Sequence, residues 1–594
     1  MPVARLRPQG VVFFCILVLA WHRPTAGQVN VLTYHNDVAR TGQNTQETLL
    51  TPKSVNSGQF GKLWCKPNNH LDGAVYGQPL VLSNVSIAGG THNVVFVGTS
   101  NDSVYALDAA AGATYWQRSL LGTGERAVNG GDFKYGGNMP QTGVLATPVI
   151  DPVSQTIYVT AHIVTSNAFV LRLYALDVRT GANKTAPVVI MAKTAGTGNG
   201  AQNGQICLNT LDTPACVNLR YLYQRTGLLL SGNHIVFGLG AAGNDGTPTE
   251  PWFGWLLSYN ASTLSLEAAF APDATSYAGG IWMSGAAPAA DASGYIYLAT
   301  GNGQYGLDNN GHMSFGDSIL KMPPPQSGSS WMPTAWYSPS DQAGLNTYDG
   351  DLGSGGVVLL SNGGQQLLVM AGKEGTIYLL NTQQSGQSLP SVQSIPGANT
   401  SIGTGLCSSA EIDNSGQNNL VGVWGLPAYW NGNLYFGSSQ PDCPTWVNRT
   451  DHMKAYSFNG TGSPSMSSAP TSFTPNVFGP ALYPWSTTIP SVSSNGRSNG
   501  IVWAVDQGDT KTQVSTLHAY DATNLGIELY NSNMSSTRDR LDATPSHVVP
   551  TVANGMVYVG TSDCVTAYGP SAYNLPLTSL PSVLKAILNK GKKN

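Results

Sequence analysis

Two carboxyl groups lie close together in the segment formed by Asp349, Gly350 and Asp351. Paired carboxylates can act as acid and base in the cleavage of a glycan, but aspartates in a loop also cap backbone amides. Asn302 lies between two glycines, where asparagine is suited to a left-handed turn. The sequence has no Gly-x-Ser-x-Gly, His-Glu-x-x-His or phosphate-loop motif, so serine-hydrolase, zinc-protease and nucleotide chemistry are not indicated.

The composition favours an all-β protein. Only 10% of the 594 residues are charged and 69 are glycine, whereas an average globular protein has about 25% charged residues and about 7% glycine. A chain so poor in Glu and Lys is unsuited to long solvated helices, and its 41% apolar residues can bury a large core. The net charge of −4 offers no basic surface for nucleic acid.

The N-terminus has the layout of a secretory signal peptide. Arg5 and Arg7 precede an apolar run over 11–21, and small residues close the segment at 25–27. The run is shorter than the roughly 20 residues that cross a bilayer, so a retained membrane anchor is the weaker interpretation. We expect residues 1–27 to be removed and the mature protein, with a net charge of −7, to be secreted, or periplasmic in a bacterium, without a membrane span.

Export changes how the cysteines are interpreted. Six of the seven remain after residue 27, and an even number in an exported protein favours disulfides. We expect Cys207–Cys216 and Cys407–Cys443, each closing a loop, and Cys65–Cys564, joining the chain ends, although the sequence alone does not choose among the pairings. Eight Asn-x-Ser/Thr sites are candidates for glycosylation: Asn84, Asn101, Asn183, Asn260, Asn399, Asn448, Asn459 and Asn533.

A short strand pattern, which in most copies ends in an aromatic or apolar pair followed by Asp or Asn, recurs along the chain. The eight copies occupy 104–108, 173–177, 256–260, 318–322, 377–381, 453–457, 517–521 and 565–569. Several copies follow a second strand that ends in small residues, and some precede an aromatic strand, with Gly, Asn and Asp at the turns. Units of about four short strands are typical of propeller blades, so we predict an eight-bladed β-propeller.

The last copy has too little chain after it for an outer strand. The segment from Phe60 to Cys65 resembles the aromatic strand that closes other units, so we predict that it completes the last blade and closes the ring. Seven blades with an irregular region is the alternative. The predicted organisation is a signal peptide at 1–27, an N-terminal extension at 28–56, a propeller at 57–570 and a tail at 571–594.

The segment from Ala106 to Trp116 reads Ala-Leu-Asp-x-x-x-Gly-x-x-x-Trp. It resembles the blade motif of the pyrroloquinoline quinone (PQQ) propeller family, in which the motif tryptophans pack between neighbouring blades. The resemblance covers roughly residues 57–570 and implies the fold more strongly than an activity, because members include quinone-dependent alcohol dehydrogenases and non-catalytic scaffolds.

The stretch from Tyr297 to Asp351 is similar to the quinoprotein alcohol dehydrogenases. By this resemblance Asn302 is a calcium ligand, and Asp349 or Asp351 is the catalytic base, with Asp349 also near the metal. The similar place for the calcium-binding Glu of these enzymes offers Asp245 or Glu250 instead. The chain also departs from the enzymes in having no adjacent cysteine pair and no haem domain.

The resemblance also implies residues at the cofactor. Lys373 lies in a segment similar to the one whose basic residue contacts the quinone, and Trp424 lies in one similar to the Asn-Trp segment near the cofactor. Trp282 and Trp485, like Trp424, begin inner strands, where a tryptophan either stacks on the quinone or packs between blades. Arg225 begins a similar strand, so we expect it to contact the quinone and, together with His547, to line the axial channel.

Two classes of function follow from these observations. The first is a quinoprotein-type oxidoreductase that uses PQQ and calcium to oxidise a small alcohol or sugar at the central channel. The second is a non-catalytic propeller that binds a protein or a glycan on its loop face. The match over 297–351 favours the oxidoreductase.

Overall fold

Eight antiparallel sheets, each of four main strands, surround a central axis and form a β-propeller. The computed structural model describes residues 28–570 except 66–69, 138, 167, 210–216, 310, 329, 363, 384, 398–418, 440–450, 479–486 and 508–513. The first strand of each blade is largely buried near the axis, whereas most residues of the fourth strand are only partly buried or exposed. The predicted eight-bladed fold is confirmed, and the seven-bladed alternative is wrong.

Blades 1 to 4 follow one another along the chain. Their strands, from the axis outward, are Leu80–Ile87, Gly90–Gly98, Ser103–Asp108 and Thr114–Ser119 in blade 1; Val149–Asp151, Thr156–Val164, Phe169–Asp177 and Asn183–Val189 in blade 2; Leu229–Ser231, His234–Ala241, Trp255–Asn260 and Leu266–Phe270 in blade 3; and Ala289–Ala290, Ile296–Ala299, Ile319–Met322 and Ala335–Tyr337 in blade 4.

Blades 5 to 8 complete the ring. Their strands, in the same order, are Val358–Asn362, Gln365–Ala371, Ile377–Asn381 and Ser391–Ile395 in blade 5; Ala428–Trp430, Asn433–Phe436, Asp451–Asn459 and Ser472–Phe478 in blade 6; Ser491–Asn495, Ser498–Asp506, Val514–Asp521 and Glu528–Asn531 in blade 7; and Thr551–Ala553, Met556–Gly560, Val565–Pro570 and Phe60–Trp64 in blade 8.

Short elements decorate the blades. The added strands are Gln43–Asn44, Arg126–Ala127, Ala192–Ala195, Gln205–Asn209, Val217–Asn218, Leu222–Tyr223, Tyr305–Leu307, Met313–Phe315, Ser465–Met466 and Leu541–Asp542. The helical elements are Gly130–Asp132, Leu219–Tyr221, Met283–Gly285, Gln342–Thr347, Leu352–Ser354 and Ser536–Asp539. No helix within the described residues is long and apolar enough to pass through a membrane.

The two ends of the propeller meet in blade 8. The strand Phe60–Trp64 pairs antiparallel with Val565–Pro570, so the N-terminal strand closes the last blade as predicted. Next to this pairing, Cys65 and Cys564 form a disulfide that links positions 499 residues apart in sequence. Cys207 is also in a disulfide, but its expected partner Cys216, and both Cys407 and Cys443, lie outside the described residues.

The tryptophan and glycine of the blade motif meet across the boundaries between blades. The indole of Trp116 in blade 1 covers Gly181 of blade 2, where a Cβ atom would lie 2.8 Å from the ring. Trp64 of blade 8 covers Gly112 of blade 1 in the same way, at 2.6 Å. Both glycines have φ of +69°, so the motif glycine satisfies a left-handed turn and a close aromatic contact at once.

Residues 29–47, which we call the ring segment, follow the inner strands around the axis. Tyr34 packs in the same core cluster as Leu229 of blade 3. Backbone amides of the other blades donate to this segment in chain order: Val81 to Val31, Ile150 to Leu32, Ala290 to Val38, Leu359 to Ala39, Tyr429 to Thr41, Val492 to Gly42, and Gly555 to the carboxylate of Glu47.

A buried arginine holds the ring segment in place. Arg40 is fully buried, and its guanidinium donates to the carbonyl of Pro288 in the approach to blade 4 at 2.8 and 3.0 Å. It also donates to Thr33 Oγ1 and to the carbonyls of Tyr34 and Asp37. The extension expected at 28–56 is therefore an integral part of the propeller core, because it supplies partners to the inner strands.

Candidate functional site

Loops from three consecutive blades meet at one end of the axis. Asp245, Asn302 and Lys373 each follow the second strand of a blade, in blades 3, 4 and 5 respectively. Asp349 and Asp351 lie between the helix Gln342–Thr347 and the first strand of blade 5. Because neighbouring strands are antiparallel, the end of a second strand lies beside the start of a first strand. We call these five residues the acidic cluster.

The side-chain amide of Asn302 is the centre of the acidic cluster. Its nitrogen donates to Asp245 Oδ2 and to Asp349 Oδ1, both at 2.9 Å. Its backbone amide donates to Asp351 Oδ1 at 2.9 Å. The amide oxygen of Asn302 is buried and has no hydrogen-bond partner among the described residues. Three carboxylates from two loops therefore converge on one asparagine.

The glycines beside Asn302 are explained by close packing. The backbone of Asn302 does not have a positive φ, so the left-handed turn expected there is wrong. Instead, a Cβ atom at Gly301 would lie 2.1 Å from Asp351 Oδ1 and 3.1 Å from the indole nitrogen of Trp282. The residue with the left-handed backbone is Asp349, with φ of +56°.

Lys373 bridges the two carboxylates of the Asp-Gly-Asp segment. Its ammonium lies 2.7 Å from Asp349 Oδ1 and 2.8 Å from Asp351 Oδ2. The side chains of Lys373 and Asp351 are 7% and 9% exposed, but that of Asp349 is 52% exposed. Burial alone would raise the pKa of Asp351, but the charge and hydrogen bond of Lys373 hold this pKa below its usual value. Asp349 therefore lies at the solvent-exposed opening of the acidic cluster, which we call its mouth, and Asp351 lies buried beneath it.

Asp245 and Asp317 have carboxyl groups that resist ionisation. Burial, with the negative charges of Asp351 and Asp349, raises the pKa of Asp245 to about 7. Burial and the charge of Asp351 raise the pKa of Asp317 well above its usual value, and this fully buried side chain accepts the amide of Leu352 at 3.0 Å.

Sequence reasoning assigned no role to Asp317. The signal was an aspartate that shortly precedes the third strand of a blade, since Asp102 has the same place in blade 1 and both have positive φ. Glu250, the alternative to Asp245, lies elsewhere and forms an ion pair with Lys134 at 3.0 Å.

The expected cofactor residues have different surroundings. Trp282 is partly exposed, with the Arg225 guanidinium 5.7 Å from its ring centroid. Trp424 is fully buried. Arg225 and His547 line the same small cavity. Trp485 lies outside the described residues.

The donor atoms of the acidic cluster suit a hard cation. Calcium prefers carboxylate and amide oxygens, and Asp245, Asp349 and the unpartnered amide oxygen of Asn302 supply these. A half-turn of the Asn302 side-chain amide exchanges the places of its nitrogen and oxygen, and it would bring the oxygen towards the carboxylates of Asp245 and Asp349. No three carboxylate, histidine or cysteine side chains form a metal-binding group in the part of the chain described.

Two solved structures with this architecture are named as quinohemoprotein alcohol dehydrogenases. The quinohemoprotein alcohol dehydrogenase of Comamonas testosteroni is 13% identical, with a TM-score of 0.53 over 93% of this chain and 82% of its own. The chain shares the fold of these enzymes. The quinohemoprotein alcohol dehydrogenase ADHIIG of Pseudomonas putida HK5 is 14% identical, with a TM-score of 0.52 over 92% and 81% of the two chains. No family model and no curated protein matches the sequence.

Proposed function

We propose that the acidic cluster is the active site of a quinoprotein-type oxidoreductase that oxidises an alcohol or a sugar with PQQ and calcium. The observation that carries this proposal is the convergence of Asp245, Asn302 and Asp349 on one point, with Lys373 beside it. Two structural neighbours named as alcohol dehydrogenases support it through their fold.

Each residue of the cluster would have a distinct task. Bound calcium would supply a Lewis acid, and PQQ would supply the acceptor for the hydride of the alcohol carbon. Asp245 and the amide oxygen of Asn302 would hold the cation. The partly exposed ring of Trp282, close to Gly301, offers a flat apolar surface for the cofactor, whereas the buried Trp424 supports the blades. Lys373 supplies positive charge beside the acidic cofactor.

Asp349 is the better placed of the two candidate bases. Its carboxylate lies at the mouth, held by hydrogen bonds from Lys373 and Asn302, and can take the hydroxyl proton of an alcohol that reaches the cluster. Asp351 is buried and receives the backbone amide of Asn302. We assign Asp351 to positioning, because its contacts fix both Asn302 and Lys373.

The proposed location is outside the cytoplasm, either secreted or periplasmic. Cys65–Cys564 supports this, because disulfides persist in oxidising compartments. The same proposal includes the removal of residues 1–27 and sugars at the eight sequons. It also includes the expected disulfides Cys207–Cys216 and Cys407–Cys443.

Calorimetric titration of PQQ into the purified protein, with calcium and then with a chelator, tests the proposal. We expect calcium-dependent binding that is lost in Asp245→Asn and kept in the control Asp151→Asn, whose carboxylate only accepts a turn amide. Turnover of alcohols with a dye as electron acceptor should then be lost in Asp349→Asn. Absence of PQQ binding by the folded protein would overturn the proposal and leave the binding scaffold for a protein or a glycan.

A further inference from the structure

A second polar site, which we call the axial cavity, lies where the segments that lead into the first strands of several blades meet. Its volume is about 20 Å³, and its lining includes Tyr34, Thr147, Arg225, Ser284, Ser546 and His547. Its lining combines the ring segment, through Tyr34, with residues that precede the inner strands of several blades. The cavity is large enough for a single water-sized occupant.

Arg225 brings an uncompensated positive charge to this cavity. Its guanidinium has no hydrogen bond or ion pair with any described residue, and it faces the ring of Trp282 at 5.7 Å from the centroid. Burial lowers the pKa of Arg225 to about 10, so the group stays charged at neutral pH. Arg225 is half-buried, and an unpaired charge that has lost part of its water is costly, so a bound anion would offset that cost.

The rest of the lining offers donors without competing carboxylates. The phenolic oxygen of Tyr34 is buried and has no partner among the described residues. Thr147 accepts the amide of Gln78 at 2.9 Å through its hydroxyl oxygen, which leaves the hydroxyl hydrogen to donate. The lining contains no Asp or Glu. A guanidinium with two hydroxyl donors is a set that selects an anion.

We propose that the axial cavity binds a monatomic anion of the halide class, held by Arg225 with Tyr34 and Thr147. The cavity volume favours this occupant over a carboxylate-bearing organic molecule. This differs from the expectation that Arg225 binds the quinone, and it does not depend on the proposed function. Because Tyr34 belongs to the ring segment, the anion would also link that segment to the blades.

Bromide provides a direct probe of the site. Crystals of the full chain grown in bromide should show an anomalous peak beside Arg225, and chloride should raise the melting temperature above that in gluconate of equal ionic strength. In Arg225→Gln both effects should vanish, and in Tyr34→Phe the chloride effect should shrink. Arg118→Gln, which changes an exposed rim arginine, should keep both.

Three results would overturn the proposal. The first is a bromide-grown crystal without a peak in the cavity. The second is an unchanged chloride effect in Arg225→Gln or, should that variant not fold, in Tyr34→Phe. The third is loss of the bromide peak when PQQ is added, because the guanidinium would then serve the cofactor. PQQ binding with the bromide peak retained would support two separate sites.

Discussion

The ammonium of Lys373 lies 2.8 Å from the carboxylate of Asp351, and both side chains are almost completely buried. Each is introduced by a different loop of blade 5, one before its first strand and one after its second. The pair therefore fixes these two loops against each other at the end of the axis. The same ammonium holds Asp349 at the mouth, so the geometry of both carboxylates depends on one lysine.

Lys373→Met should destabilise the protein by about 3–5 kcal/mol, because it leaves buried carboxylates without a counter-charge. The free energy of unfolding in urea measures this. Lys53→Met, at an exposed lysine, is the matched control and should change stability by less than about 0.5 kcal/mol. Equal losses in the free energy of unfolding of the two variants would show that the buried Lys373–Asp351 pair does not stabilise the fold.

Asp245→Asn should remove a pH dependence of stability. The pKa of Asp245 is raised to about 7 from about 4 in the unfolded chain, so between these values the folded state binds a proton that the unfolded state has lost. This carboxyl therefore lowers stability as the pH rises through that window. Without calcium, the free energy of unfolding of the variant should exceed that of the wild type at pH 8 but not at pH 4.

Calcium should reverse the order of stability of the wild type and Asp245→Asn at pH 8. Above pH 7 the ionised Asp245 is available as a ligand, so calcium should raise the melting temperature of the wild type at pH 8 and not that of Asp245→Asn. Identical calcium effects in both proteins at pH 8 would exclude Asp245 as a ligand.

Arg40→Met should show that the ring segment stabilises the whole propeller. The substitution removes five hydrogen bonds and leaves buried carbonyl groups unsatisfied, for an expected loss of about 3–5 kcal/mol. Hydrogen exchange should increase in the first strands of blades 4 to 7 together. Exchange confined to residues 29–47 would contradict the prediction.

Gly181→Ala should lower the free energy of unfolding by more than the replacement of an ordinary turn glycine does. The new methyl group would meet the Trp116 indole and also require a left-handed backbone, for a combined loss of about 2–4 kcal/mol. Gly89→Ala is the control, since Gly89 has φ of +77° and open space around it, and it should cost about 1–2 kcal/mol. Equal losses would mean that the contact with tryptophan contributes nothing.

The repeating parts of the fold were predictable, and the parts that do not repeat were not. Eight copies of one strand pattern gave the blades, and Phe60–Trp64 could be assigned to blade 8 because it resembles the outer strands. The ring segment has no copy elsewhere, and its partners are backbone groups of distant strands, so nothing in its residue types indicated its course. Arg40 looked like any charged residue of an extension.

The sequence indicated which residues belong to the candidate site better than it indicated how they are arranged. Asn302, Asp349 and Lys373 were singled out from separate segments, and the structure brings them together. The choice of Asp245 over Glu250 depends on the path of one loop, which residue types do not encode. The glycine at 301 indicated a special backbone, but only the position of Asp351 shows that it avoids a collision.

The course of the ring segment has a consequence for biosynthesis. Residues 29–47 are made before every blade they contact, and their last partner, Gly555, is made more than five hundred residues later. Val31 can meet Val81 once blade 1 is made, and Tyr34 can meet Leu229 of blade 3, whereas Glu47 has to wait for Gly555 of blade 8. This early segment therefore reaches its final place only when the last blade is made, so a nascent chain that stalls before blade 8 exposes part of it to chaperones and proteases.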